Sequence, residues 1–122
     1  LGAAVDYLSD LSMVEVQKHS DQLRLYAKNS LENIDGLNII HTDSENAGCT
    51  FAMSVDGAHA TDISLMLDTY GVAVRAGHHC VQPFHRKLNI DATFRATGYM
   101  YNDENDFDTL VNAIEESLKI LR

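Results

Sequence analysis

The most informative part of the chain lies between residues 70 and 83, which read Tyr70-Gly71-Val72-Ala73-Val74-Arg75-Ala76-Gly77-His78-His79-Cys80-Val81-Gln82-Pro83. Val72 to Val74 form a short apolar run that predicts a strand. The loop that follows contains a glycine and sets one thiol beside two imidazoles. Pro83 predicts the first turn of a short helix, where its missing N–H is not needed. The sequence therefore predicts a strand, a loop rich in titratable side chains, and a helix in succession.

The segments on either side of this loop predict an α+β domain. Apolar residues recur at helical spacing over 12–34, 63–70 and 107–121, and alternate with polar residues over 49–55 and 93–97. We expect a small, mainly antiparallel sheet of three to four strands, with the long helices packed on one side. Ser12 and Glu15 predict a capping box at the start of the first long helix. The predicted helices and strands cover residues 1–8, 12–34, 37–41, 49–55, 63–70, 72–74, 83 onward, 93–97 and 107–121.

Length, charge and cysteine content restrict the possible functions. The chain has 122 residues, which suits one domain, and its net charge of −9 disfavours binding to nucleic acid or to an anionic membrane. No apolar run approaches the ~20 residues that cross a bilayer. Two cysteines are too few for a disulfide framework, which favours a reducing, cytoplasmic setting. Since the chain opens at Leu1 directly into a helical pattern, we expect it to be cut from a longer protein.

Cys80 is the candidate nucleophile. A thiolate is the reactive form of cysteine, and a cationic neighbour such as Arg75 or a protonated histidine favours it. Most single cysteines carry no chemistry, however, and an ordinary, partly buried Cys80 remains open at this point. A zinc site formed by His78, His79, Cys80 and His85 is a weaker alternative, because adjacent residues rarely direct their side chains at one ion.

Arg95 lies on the predicted strand 93–97, on the face opposite Phe94 and Ala96. Such a guanidinium can bind a carboxylate through two parallel hydrogen bonds, although a plain surface arginine fits the pattern equally well. Cys49 is in register with the apolar side chains of its strand, so we expect it in the core. His19 and His41 are expected at the surface, and the acidic residues 103–106 at a solvated helix start.

The segment 70–83, together with Phe94-Arg95-Ala96-Thr97 and Tyr99-Met100-Tyr101-Asn102, resembles the SUF-type cysteine desulfurases. These belong, with the selenocysteine lyases, to the class V aminotransferase family. The resemblance covers essentially the whole chain. It implies that residues 1–122 are the small C-terminal domain of a fold-type I pyridoxal-phosphate enzyme, whose large cofactor-binding domain is absent here.

The resemblance also implies a reaction and roles for individual residues. The parent enzyme would remove sulfur from L-cysteine, with pyridoxal phosphate as electron sink, giving alanine and a persulfide on Cys80. That persulfide would pass to an acceptor protein, for iron–sulfur cluster assembly or another sulfur-transfer pathway. Arg95 matches the arginine that holds the substrate carboxylate, and Arg75 an arginine positioned near the active site. The remaining loop residues match supporting positions: Gly77, His78 and His79.

The chain departs from the family pattern in what it lacks. The Schiff-base lysine, the phosphate-binding residues and the aspartate that partners the pyridine nitrogen belong to the large domain. None of this chain's lysines stands in a matching context: Lys18, Lys28, Lys87 and Lys119. We therefore expect no cofactor-binding residue and no metal ligand here, and an isolated chain that is inactive. The parent would be a homodimer.

Two alternatives remain beside the desulfurase. The first is a selenocysteine lyase, in which the loop cysteine discriminates selenium from sulfur. The second is a stand-alone sulfur carrier or zinc-binding module that uses Cys80 without a cofactor. A desulfurase needs Cys80 for turnover of cysteine, whereas a lyase needs it less for turnover of selenocysteine. A zinc-binding module would bind metal without any other domain.

Overall fold

The computed structural model describes residues 1–40, 44 and 47–122, which form an α+β domain. Four strands make one antiparallel sheet in the order β1-β2-β4-β3. The predicted fold class is confirmed. In chain order, the elements are α1 (Gly2–Ser9), α2 (Met13–Leu31), β1 (Leu37–Ile40), β2 (Thr50–Val55), α3 (Ala60–Thr69), β3 (Arg75–Gly77), α4 (Gln82–Leu88), β4 (Thr93–Thr97) and α5 (Glu104–Leu121).

Side chains cap the starts of α5 and α2, although α2 lacks the complete capping box that the sequence predicts. Asp103 caps α5, and its side chain and that of Asp106 each accept a hydrogen bond from the other's backbone N–H, a complete capping box. Ser12 caps α2 by accepting from the Glu15 N–H. The return bond predicted for Glu15 is wrong, since its carboxylate lies 3.8 Å from the Lys18 ammonium and both side chains are well exposed.

One face of the sheet forms the core with the long helices. Phe51, Met53, Phe94 and Ala96 point to this face and are buried, as the alternation of the two strands predicts. Helices α2, α3 and α5 cover it, and α5 contacts both of the others. Cys49 is buried beside this core, as predicted. His19 is half-buried rather than exposed, because its Nε2 lies 2.8 Å from the Asn102 carbonyl.

The other face of the sheet carries Ala52 and Arg95, which are opposite each other in the β2–β4 ladder. The short helix α4 packs against this face, because its buried His85 reaches the Thr93 hydroxyl. The long helices therefore lie on one side, as expected, and α4 lies on the other. The open face is what positions the candidate site.

The predicted strand over 72–74 is displaced in the structure. The pairing starts at Arg75, which is opposite Arg95, and ends at Gly77, opposite Thr93. Val72 and Val74 are half-buried against the core, so their apolar character reflects packing rather than ladder pairing. The strand predicted over 37–41 ends at Ile40, and His41 lies outside the described residues. Among the described residues, no helix is long and apolar enough to cross a bilayer.

Candidate functional site

Cys80 sits in a tight turn between β3 and α4. The Val81 N–H donates to the His78 carbonyl oxygen at 2.9 Å, which closes the turn around His79 and Cys80. Both central residues have positive φ, 51° at His79 and 63° at Cys80. Positive φ at both central positions defines the type I′ pattern, which glycine, asparagine and aspartate dominate. The left-handed backbone at His79 and at Cys80 therefore costs roughly 1–2 kcal/mol per residue, because each residue has a Cβ. The Cys80 thiol on this turn is exposed.

The neighbouring sequence explains why the chain turns here. Gly77 ends β3 with φ 130°, a conformation that other residues rarely adopt. Pro83 occupies the first turn of α4, as predicted, where proline is well tolerated. The backbone is therefore fixed by a strand on one side of Cys80 and a helix on the other.

The two candidate substrate arginines are neighbours across the sheet. Arg75 and Arg95 are directly opposite in the β3–β4 ladder, so their side chains project from the same face. Arg75 is exposed and Arg95 is half-buried. Like charges directly opposite each other destabilise a sheet, and neither guanidinium pairs with a carboxylate among the described residues. The arrangement is suited to an anion that contacts both.

A cavity of 220 Å³ opens beside Arg95 on the same face. Among the described residues, four polar ones line it, His79, His85, Thr93 and Arg95, and the rest of its wall is apolar. An anion with a small carbon skeleton fits this combination of a guanidinium and an apolar wall. The lining residues are Ile40, Ala52, His79, Val81, Phe84, His85, Leu88, Thr93 and Arg95.

His79 is a neutral imidazole at neutral pH. Burial lowers its pKa below the ordinary value of 6.5, and the positive charges of Arg95 and Arg75 lower it further, against a hydrogen bond to Thr93 that raises it. Its Nε2 lies 3.2 Å from the Thr93 carbonyl, which only accepts, so Nε2 carries the proton. The unprotonated Nδ1 is buried and has no partner among the described residues. His79 therefore supplies no positive charge to favour the Cys80 thiolate.

His85 is buried and both of its ring nitrogens are engaged. Nδ1 lies 3.3 Å from the Val81 carbonyl oxygen and Nε2 lies 3.1 Å from the Thr93 hydroxyl. The ring of the exposed His78 lies edge-on to it, with centroids 5.7 Å apart. In the part of the chain that the structure describes, no three His, Cys, Asp or Glu side chains are arranged to hold a metal ion. The two contacts of His85 occupy the ring nitrogens that the zinc alternative would require as ligands.

The structure brings some of the predicted site residues together and adds two that sequence reasoning missed. Arg75, Arg95 and His79 lie on the open face, and Gly77 and Cys80 stand on either side of His79 in the chain. His78 is exposed at the edge of the turn. The structural role of His85 and the whole role of Thr93 were missed. Strand alternation could have indicated Thr93, since it shares a face with Arg95.

A second cavity, of 270 Å³, lies beside residues 71–74 and the start of α5. Asp106 is the one carboxylate among the described residues that line it, and its pKa is lowered by a hydrogen bond from Asn102 and by the Asp103 N–H. That carboxylate is therefore committed to capping α5. None of the predicted site residues reaches this cavity.

Comparison with known proteins identifies the class. The model of the aminotransferase class-V family matches residues 1–110, and the chain belongs to this family. A cysteine desulfurase of Haloferax volcanii is 41% identical over 97% of the chain. A probable cysteine desulfurase of Halobacterium salinarum is 40% identical over 98% of it. The predicted family membership is confirmed.

Solved structures give the same result for the fold. The cysteine desulfurase CsdA of Escherichia coli superposes with a TM-score of 0.89 at 31% identity, covering 98% of this chain. A cysteine desulfurase of Thermococcus onnurineus, in its apo form, also has a TM-score of 0.89, at 25% identity. The chain spans 29% of the length of the Halobacterium relative and 29% of the CsdA chain.

Proposed function

We propose that residues 1–122 are the C-terminal small domain of a SUF-type, pyridoxal-phosphate-dependent cysteine desulfurase. In it, Cys80 accepts sulfur from L-cysteine and Arg95 binds the substrate carboxylate. The observation that carries this proposal is the placement of an exposed thiol, on a tight turn, directly after a strand whose Arg75 is opposite Arg95. The similarity to cysteine desulfurases over nearly the whole chain supports it.

The chemistry of Cys80 follows from its exposure. Its thiolate attacks the sulfur of the substrate, and a sulfur–sulfur bond forms while the substrate carbon–sulfur bond breaks. The carbon keeps the electron pair of that bond, takes up a proton, and leaves as part of alanine. Cys80 then carries the persulfide. An exposed thiol suits this step because it must meet first a small substrate and then a protein.

The two arginines suit the role of an anion clamp. The backbone of Arg95 is held by ladder hydrogen bonds on both sides, since β4 pairs with β2 and with β3. Arg95 therefore keeps a fixed direction toward the substrate carboxylate, which orients the sulfur for attack. Arg75, on the exposed edge strand, would stay close to the same anion and to the turn that carries Cys80.

This chain does not itself fit pyridoxal phosphate, which supplies an electron sink when it is bound. A Schiff base requires a lysine, and no lysine is among the described residues that line the Arg95 cavity. Its lysines form ion pairs with carboxylates at three positions: Lys18 with Glu15, Lys28 with Glu32 and Lys119 with Glu116. The residues that hold the cofactor, and the homodimer contacts, would belong to a large domain outside this chain.

The partner that takes the sulfur would be a protein with an acidic surface, acting in iron–sulfur cluster assembly. Residues 75–95 hold four of the nine basic residues and one of the eighteen acidic ones, a charge of +3. The rest of the chain carries −12 within the total of −9. This local charge attracts an acidic acceptor, while the total charge disfavours nucleic acid and anionic membranes. A cytoplasmic setting is consistent with free thiols at Cys49 and Cys80.

The test is alanine release by the longer protein that contains this chain. L-cysteine and L-selenocysteine are each supplied to the unaltered protein, to Cys80→Ala and to Cys49→Ala, whose thiol is buried and serves as the control. We expect Cys80→Ala to lose turnover of cysteine and to keep turnover of selenocysteine, because selenium leaves without a thiol acceptor.

Other outcomes would contradict the proposal in distinct ways. If Cys80→Ala turned over both substrates as fast as the unaltered protein, Cys80 would have no part in the reaction. Turnover of selenocysteine alone by the unaltered protein would favour a selenocysteine lyase. No alanine from either substrate would favour a sulfur carrier, and stoichiometric zinc on the 122-residue chain would favour a metal-binding module.

A further inference from the structure

Thr93 joins His79, which precedes Cys80 in the turn, to His85 on α4. Its carbonyl oxygen accepts from His79 Nε2 at 3.2 Å, and its hydroxyl lies 3.1 Å from His85 Nε2. Thr93 is only 1% exposed and His85 only 5%, so these bonds are shielded from water. A buried polar group that loses its partner is destabilised far more than an exposed one.

The direction of the hydrogen bonds follows from the acceptors. The Val81 carbonyl oxygen can only accept, so His85 Nδ1, 3.3 Å away, carries the ring proton. His85 Nε2 is therefore the acceptor of the Thr93 hydroxyl proton. The result is a hydrogen-bonded network in which the Thr93 hydroxyl donates to His85 and His85 donates to the Val81 carbonyl.

Both ends of the Cys80 turn are bonded to this network, and the Val81 carbonyl also accepts from the backbone N–H groups of Phe84 and His85. His79, before Cys80, is tied to the Thr93 carbonyl, and Val81, after Cys80, is tied to His85. His85 is also the one buried residue of α4, a helix that the structure describes in full. The docking of α4 on the sheet therefore rests on the same ring. The turn holds two residues in left-handed backbone, which needs such outside support.

We propose that His85 and Thr93 are positioning residues that hold the turn over residues 78–81 closed and so fix the direction of the Cys80 thiol. Both residues line the Arg95 cavity, and the role we assign to them is to place the thiol rather than to bind the substrate. They act through the bonds to His79 and Val81, and the role in turnover rests on the function proposed above.

The first test measures hydrogen exchange at the Val81 amide, which closes the turn. Thr93→Val removes the hydroxyl and keeps the branched shape, whereas Thr93→Ser keeps the hydroxyl. We expect Val81 exchange about fivefold faster in Thr93→Val, the equivalent of one hydrogen bond, and nearly unchanged in Thr93→Ser. His19→Phe, which breaks a histidine–carbonyl contact of 2.8 Å on α2, is the control and should leave Val81 unchanged.

Several results would overturn the proposal. Equal Val81 exchange in Thr93→Val and in the unaltered chain would show that the hydroxyl does not hold the turn. An equal increase in Thr93→Ser, or in His19→Phe, would show a general loss of stability instead. A measurement on the unaltered protein does not depend on any variant folding: the ring nitrogen shifts of His85 should show a protonated Nδ1 and a bare Nε2. The opposite tautomer would refute the hydrogen-bond chain.

A second test separates positioning from the proposed reaction. In the longer, active protein, Thr93→Val should lower kcat for alanine release about fivefold and leave KM for cysteine unchanged, with Thr93→Ser restoring kcat. A rise in KM alone would place Thr93 in substrate binding and overturn the positioning role. The exchange test needs no activity. If the desulfurase proposal fails, the exchange result still decides whether the turn is held in this way.

Discussion

Replacing Cys80 with glycine should stabilise the protein relative to replacing it with alanine, the reverse of the usual order. The backbone at Cys80 has φ 63° and its side chain is exposed, so both substitutions remove little buried surface. Alanine keeps a Cβ in the left-handed region, whereas glycine releases roughly 1–2 kcal/mol of backbone strain. The greater freedom of glycine in the unfolded chain offsets about 0.5–1 kcal/mol of that. The expected net advantage of glycine is therefore about 1 kcal/mol.

The assay is urea unfolding of Cys80→Gly and Cys80→Ala, with the same pair of substitutions at Val81 as the control. Val81 follows Cys80 directly and has φ −122°, outside the left-handed region that favours glycine. At position 81 the glycine variant should have a free energy of unfolding about 0.5–1 kcal/mol lower than the alanine variant. For 122 residues, unfolding entropy of about 2.1 cal/mol/K per residue makes 1 kcal/mol equal to roughly 4 °C in Tm.

The sign of the glycine–alanine difference is the critical result. Opposite signs at positions 80 and 81 would support a turn with Cys80 in left-handed backbone. If glycine is the less stable substitution at both positions, Cys80 does not occupy that conformation in solution, and the argument from strain at the turn is wrong.

Three further predictions concern stability. Gly98→Ala should lower the free energy of unfolding by about 1–3 kcal/mol, because its new Cβ would lie 2.8 Å from the buried Phe107 ring; Gly48→Ala, which meets nothing within 4 Å, should have little effect in the same urea titration. Arg75→Gln should raise the free energy of unfolding by about 0.2–1 kcal/mol at low salt, and high salt should remove the gain, since repulsion across β3 and β4 is relieved. The lowered pKa of His79 means that the unfolded chain binds its proton first as the pH falls below about 6.5. The free energy of unfolding should therefore fall on acidification through that range, and the fall should be smaller in His79→Asn, which tolerates positive φ and does not titrate.

Periodic patterns account for most of the fold that could be predicted. The apolar face of α5 and the alternation of β2 and β4 each repeat over enough residues to identify the element and the buried face. The three-residue β3 has no such repeat. Its position depends on pairing with β4, while the apolar Val72 and Val74 beside it are explained by core packing.

The sequence identifies which residues form the candidate site, but it does not predict how they are arranged in space. The sequence of residues 70–83 identifies Cys80, Arg75 and the histidines, but residue type gives no sign of left-handed backbone at His79 and Cys80. That conformation is imposed by tertiary contacts. The placement of Arg75 opposite Arg95 depends on strand register, which a local pattern does not contain. The contact of His85 with Thr93 likewise appears only once α4 is placed on the sheet.

The short span between β3 and α4 limits how far the thiol can travel. Cys80 is three residues beyond Gly77 and two before Gln82. A fully extended chain reaches about 3.3–3.6 Å per residue, so the Cα of Cys80 can move no more than roughly 11 Å from Gly77, and less from the start of α4. Cys80 can therefore move only a short distance from the sheet. Under the proposed function, the molecule that delivers sulfur and the molecule that collects it would have to come, one after the other, to the same small volume at the edge of the sheet.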